Sequence, residues 1–132
     1  MRRLLLPALL LGALACLDPD VPALITGDWG GEHLGLVATA TGAALEYDCA
    51  SGTIAEAIRP EPNGRFSAVG VHFPGHGGPI QNGVPPEQHP ARYDGMVNGK
   101  TLTLSVTLTD SGTLLGTFTL IRGGSPHVFK CL

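Results

Sequence analysis

Between Lys100 and Arg122 apolar and polar positions alternate. Leu102, Leu104, Val106 and Leu108 are interleaved with Thr101, Thr103, Ser105 and Thr107. After Asp110-Ser111-Gly112 the alternation resumes, with Leu114, Gly116, Phe118 and Leu120 set against Leu115, Thr117 and Thr119. A period of two places the two sets on opposite faces of a strand, and Asp-Ser-Gly supplies the turn, so the stretch predicts a β-hairpin with one apolar and one threonine-rich face. A lone hairpin cannot hide its apolar face from water, so further strands must cover it.

Weaker versions of the pattern fill the preceding chain. Gly27 to Gly31 leads into a first strand, in which Leu34, Leu36 and Ala38 alternate with His33, Gly35, Val37 and Thr39. Leu45, Tyr47 and Cys49 define a second strand, Thr53 to Ile58 a weaker third, Arg65 to Phe73 a fourth and Ala91 to Val97 a fifth. Asn63-Gly64 and Asn98-Gly99 are the preferred pair for a tight hairpin turn. A last apolar segment runs from Val128 to Leu132. The expected fold is all-β: seven or eight short antiparallel strands in an up-and-down meander, with a β-sandwich as the alternative to a barrel. Gly70, Gly95 and Gly116 inside strands suit the tight coiling of a small barrel. Glycine (19) and proline (11) are abundant and only 14% of residues are charged, which also favours a turn-rich β domain.

The amino terminus has a different character. Met1-Arg2-Arg3 precedes an apolar run from Leu4 to Ala13, and Ala13-Leu14-Ala15 then meets Cys16. Residues 1–15 read as a secretory signal, too short to span a membrane. The small residues directly before a cysteine resemble the bacterial lipobox, although Ala13 and Leu14 stand where that motif favours leucine and a small residue. Cys16 is the expected lipidation site, residues 16–26 the tether, and 27–132 the domain. The expected location is the bacterial cell envelope, with the outer membrane favoured by Leu17; a soluble secreted or periplasmic protein is the alternative. Beyond residue 15, six basic side chains face eleven acidic ones. That balance argues against a nucleic-acid partner and leaves the acyl chains to hold the protein to its membrane. In an oxidising compartment Cys49 and Cys131 are expected to pair. The bridge closes a loop of about 83 residues, worth roughly 4.5 kcal/mol on the chain-entropy account.

Gly27-x-Trp29 at the head of the first strand resembles the Gly-x-Trp signature of lipocalins and their calycin relatives. The whole also resembles small bacterial lipoproteins that open with Gly-x-Trp-Gly-Gly. The calycin resemblance implies a barrel closed at one end by Trp29, with Arg122 from a late strand packed over the indole. It also implies an interior lined by Leu36, Tyr47, Leu104 and Phe118 that either holds a small apolar ligand or is filled. Two other stretches carry candidate chemistry. Pro74 to Pro90 contains five prolines and four glycines and is long for a loop in a small domain. It could form a lid or a surface for a partner. His33, His72, His76 and His89 could bind a metal ion if their imidazoles converged. No nucleophile elbow or zinc-protease motif occurs, so a catalyst is not expected, nor is a cofactor. The expected role is a non-catalytic binding module for a small apolar ligand or an envelope protein. A packed structural or inhibitory lipoprotein acting through the Pro74–Pro90 loop is the alternative, and a metal-binding protein or enzyme the second.

Overall fold

The computed structural model describes residues 23–132. The signal segment, Cys16 and most of the tether lie outside them. Eight antiparallel strands form a meander that closes on itself: β1 (Gly27–Gly31), β2 (Leu34–Thr39), β3 (Gly42–Tyr47), β4 (Ala50–Ile54), β5 (Arg65–Pro74), β6 (His89–Asn98), β7 (Thr101–Leu108) and β8 (Leu114–Arg122). The all-β meander and the barrel are as the alternation implies, and no helix occurs among the described residues.

Four local features differ from the sequence reading. The segment Gly27 to Thr39 is a hairpin of two strands, because the chain reverses at Glu32-His33 with His33 at φ +69°. The third predicted strand starts and ends earlier, at Ala50–Ile54, and Ile58 is instead buried beyond it. Val128 to Leu132 adds no strand. The register of the β7–β8 hairpin breaks between Val106 and Thr107, so Leu114 pairs with Thr107 and turns outward, while Phe118 and Leu120 face Leu104 and Leu102.

A meander barrel has two ends. The turns after β2, β4 and β6 share one end with the entry of β1 and the exit of β8. Trp29 is buried there, its indole N–H donating to the Thr26 carbonyl at 3.1 Å. The Arg122 guanidinium carbon stands 4.9 Å from the centre of the indole, within cation–π range. Ile25 and Ile58, joined by a backbone bond of 3.1 Å, complete the plug of this closed end.

The middle of the barrel is packed. Leu34, Leu36, Leu45, Tyr93, Leu102, Leu104, Val106 and Leu120 are all buried, and Tyr93 donates its hydroxyl to the Val71 carbonyl at 3.0 Å. Eight strands enclose about as much space as inward side chains can fill. Leu36 and Leu104 therefore belong to a solid core and do not line a calyx.

Candidate binding site at the barrel mouth

The other end, the mouth, gathers the turns after β1, β3 and β7 and the long β5–β6 loop. A cleft of about 470 Å³ opens there, lined by His33, Tyr47, Asp48, Cys49, Ala50, His72, Pro74, Leu115 and Phe118. Alternation brings Tyr47, His72 and Phe118 inward from β3, β5 and β8. Tyr47 lies edge-on to His72, with ring centroids 5.4 Å apart, and 6.0 Å from Phe118.

Tyr47 and His72 are each 6% exposed; the Tyr47 hydroxyl has the Tyr93 hydroxyl as its hydrogen-bonding neighbour, whereas His72 Nδ1 is buried without a partner. The Tyr93 hydroxyl lies nearby, since a Cβ added to Gly52 would approach both tyrosine oxygens. Burial, reinforced by Tyr93, pushes the Tyr47 hydroxyl far above the ordinary phenol range, so it stays protonated. Burial also pushes His72 below the ordinary histidine value, as does the charge of His89, against the smaller opposing effect of Glu87. The floor of the cleft is thus neutral but polar, and a buried polar group without a partner costs about 1–3 kcal/mol.

The histidines are drawn apart. His33 Nδ1 meets Asp48 at 2.5 Å and His76 Nδ1 meets the Gly77 carbonyl at 3.2 Å, while His72 turns into the barrel. His89 sits between two carboxylates, Nδ1 to Asp110 at 2.7 Å and Nε2 to Glu87 at 2.9 Å. Those carboxylates bond opposite edges of one ring, so they share no point where an ion could bind. Among the described residues no group of three His, Cys, Asp or Glu side chains could hold a metal.

The clamp around His89 fastens the loop to the β7–β8 turn and has a pH signature. Hydrogen bonds to Asp110, then Glu87, raise the His89 pKa, and His89 lowers that of Asp110. The contribution of His89 is complete below the ordinary histidine pKa and is lost as pH rises through the raised value. That of Asp110 is present above the ordinary aspartate pKa and is lost as pH falls through the lowered one. The clamp is therefore expected to be tightest from about pH 4 to 6.5. Hydrogen exchange at Thr109, whose N–H donates to the Pro90 carbonyl beside the clamp at 2.9 Å, should accelerate above that window after correction for intrinsic rates, and His89→Gln should flatten the profile. A flat profile in the unsubstituted protein would show that the clamp does not hold the loop.

The loop is not a lid. Residues 75–88 are exposed throughout, Ile80 and Val84 among them, and only Pro74 reaches the cleft.

The carboxy-terminal tail was not foreseen as part of this end. It leaves β8 at Gly123, crosses the outside of β1 and β2, and reaches the mouth, where Cys131 is bridged to Cys49. Glycines make its track: a Cβ on Gly30 would strike Gly124 and Pro126, and one on Gly35 would strike Pro126. The tail also holds the two non-glycine residues at positive φ, His33 and Cys49 (+48°). Their backbone N–H groups donate to the His127 and Phe129 carbonyls, at 2.8 and 2.9 Å. Asp48 accepts from the Phe129 N–H at 2.8 Å, Glu32 pairs with His127 at 2.7 Å, and Lys130 pairs with Glu46. Gly30 and Gly35, on neighbouring strands, are the available signal, since missing side chains inside strands mark a close backbone approach.

No family model, curated protein or solved structure matches the chain, so the function is argued from this geometry.

Proposed function

We propose that the protein is a non-catalytic binding module, tethered to the bacterial cell envelope through a lipidated Cys16, whose recognition face is the barrel mouth. The observation that carries this reading is the division of the barrel into a solid interior and an open, partly apolar end. A filled core leaves no calyx for a deeply enclosed apolar ligand, so recognition falls to the cleft and the loop beside it. Ile80 and Val84 are apolar side chains exposed on a loop rich in proline and glycine, which suits a protein partner better than a small molecule. A small apolar ligand is the second reading, supported by Phe118, Leu115 and Tyr47 in the cleft; ligand pockets are commonly about 300–1,000 Å³. No cofactor, catalytic group or nucleic acid enters the proposal.

The test is site-specific photocrosslinking from Val84 in intact cells. A discrete crosslinked protein, lost when Ile80 is changed to Ser, is the expected result. Saturable binding of an aliphatic fluorescent probe, lost in Phe118→Asp, together with no crosslink would favour the small ligand instead. Labelling with radioactive palmitate that disappears in Cys16→Ser tests the anchor.

A further inference from the structure

The barrel closes along an unequal seam. β8 pairs with β7 from Leu114 to Ile121, but on its other side β1 meets it only at Ile121 and Arg122. The cause is length: β1 ends at Gly31 and the chain reverses at Glu32-His33, whereas β8 extends towards the mouth as far as Leu114. The tail bonds β8 at Ile121, through the Gly124 N–H at 3.0 Å, and then pairs with Glu32 through His127. Gly31 still packs on Thr119, where a Cβ would strike the Thr119 carbonyl, but from Leu114 to Phe118 the ladder gives β8 no partner on that side among the described residues. The barrel is therefore notched at its mouth. An unpaired strand edge is a template for another strand, and natural edges are commonly blunted by lysine, proline or charge. None occurs from Leu114 to Ile121, and Leu114 and Leu115 are 59% and 39% exposed.

The cleft occupies this notch. Leu115 and Phe118 form its β8 wall, His33, Asp48 and Cys49 its opposite wall, and Tyr47 and His72 its floor. We propose that the notch receives one extended, uncharged segment of a partner protein, which adds to the β8 edge as a strand. This rests on the reading of the mouth as a recognition face and specifies the form of what is recognised.

Three observations select that occupant. The edge offers peptide N–H and C=O groups, whose natural complement is another peptide backbone. Neighbouring strands stand about 4.8 Å apart, whereas packed sheets need about 10 Å. A slot walled by the tail-braced turns therefore fits a single strand better than the sheet edge of a second copy. The lining contains no lysine or arginine, and Asp48 is already engaged by His33 and the Phe129 N–H, so no charge on the segment is required.

Hydrogen exchange on the intact, oxidised protein tests the proposal. The probe is an acetylated, amidated peptide of four Thr-Val repeats, with a version N-methylated at alternate nitrogens as control. In the free protein some of the amides from Leu115 to Phe118 should exchange at near-unprotected rates. The probe should slow them at least tenfold, the methylated control should not, and Thr117→Lys should abolish the effect. Full protection of these amides in the free protein, or no response to the probe, would overturn strand addition. A concentration-dependent dimer that protects the same amides would overturn it in favour of a second copy. If the Val84 crosslink persists while the probe fails, the mouth stands as a recognition face and only its strand-binding form is lost.

Discussion

Replacing Trp29 by alanine is expected to destabilise the barrel by about 3–5 kcal/mol, the usual range for deleting a buried large aromatic side chain. The ring is almost wholly buried and lies against Arg122 at the closed end, where Ile25 and Ile58 also pack. Collapse around the gap is restricted because each neighbour is fixed by a strand or a backbone bond. Small domains have only about 5–15 kcal/mol of net stability, so the loss should be plain in a urea unfolding curve as a lower midpoint with an unchanged slope. Trp29→Phe should recover part of it. Arg122→Ala should cost much less, about 0.5–1 kcal/mol, since a guanidinium over an indole contributes on that scale at an exposed site. A loss below about 1 kcal/mol for Trp29→Ala would mean that the indole does not seal the core.

Removing the Cys49–Cys131 bridge is the second large effect. Changing both cysteines to serine should cost about 2–5 kcal/mol, as for other small disulfide-bonded domains. The structure adds a local consequence that loop entropy alone does not give. The tail supplies the carbonyls that hold His33 and Cys49 in left-handed backbone conformations, which non-glycine residues adopt at a cost. Freed from the bridge, the tail should fray, and exchange at the His33 and position-49 amides should rise well before global unfolding. The closed end should show no such change. Equal acceleration at both ends would indicate a purely global effect and would separate the bridge from the shape of the mouth.

The framework of the fold was legible because strand period, turn chemistry and cysteine pairing are local or nearly local signals. Leu102, Leu104, Val106 and Leu120 announce their face by alternation alone. Asn98-Gly99 and Asp110-Ser111-Gly112 announce their turns, with Gly99 and Gly112 at φ +59° and +75°. What was not legible depends on register and length. The outward turn of Leu114 follows from one irregularity opposite Val106 and Thr107, which no pattern within β8 could reveal. The notch follows from β1 being four residues shorter than β8, a comparison of strands 83 residues or more apart in sequence. The fates of the histidines were hidden for a similar reason: His33 and His89 took carboxylates 15 and 21 positions away, and each pairing drew a ring from any common centre. Whether the interior was hollow turned on summed side-chain volume within eight strands, which alternation does not measure.

The described chain enters the barrel beside the Trp29 plug, where Ala23 lines the same surface hollow as Asn98 and Arg122. For a protein held by an acyl group on Cys16, this fixes the polarity of attachment. On the proposed anchoring, the sealed pole would face the bilayer and the pole bearing the proline-rich excursion and the truncated seam would project into the aqueous compartment, a standoff of roughly 20 Å for tilted strands of this length. Such a geometry suits capture of something that approaches from the solvent side, and it would give lipid little access to the open edge of β8.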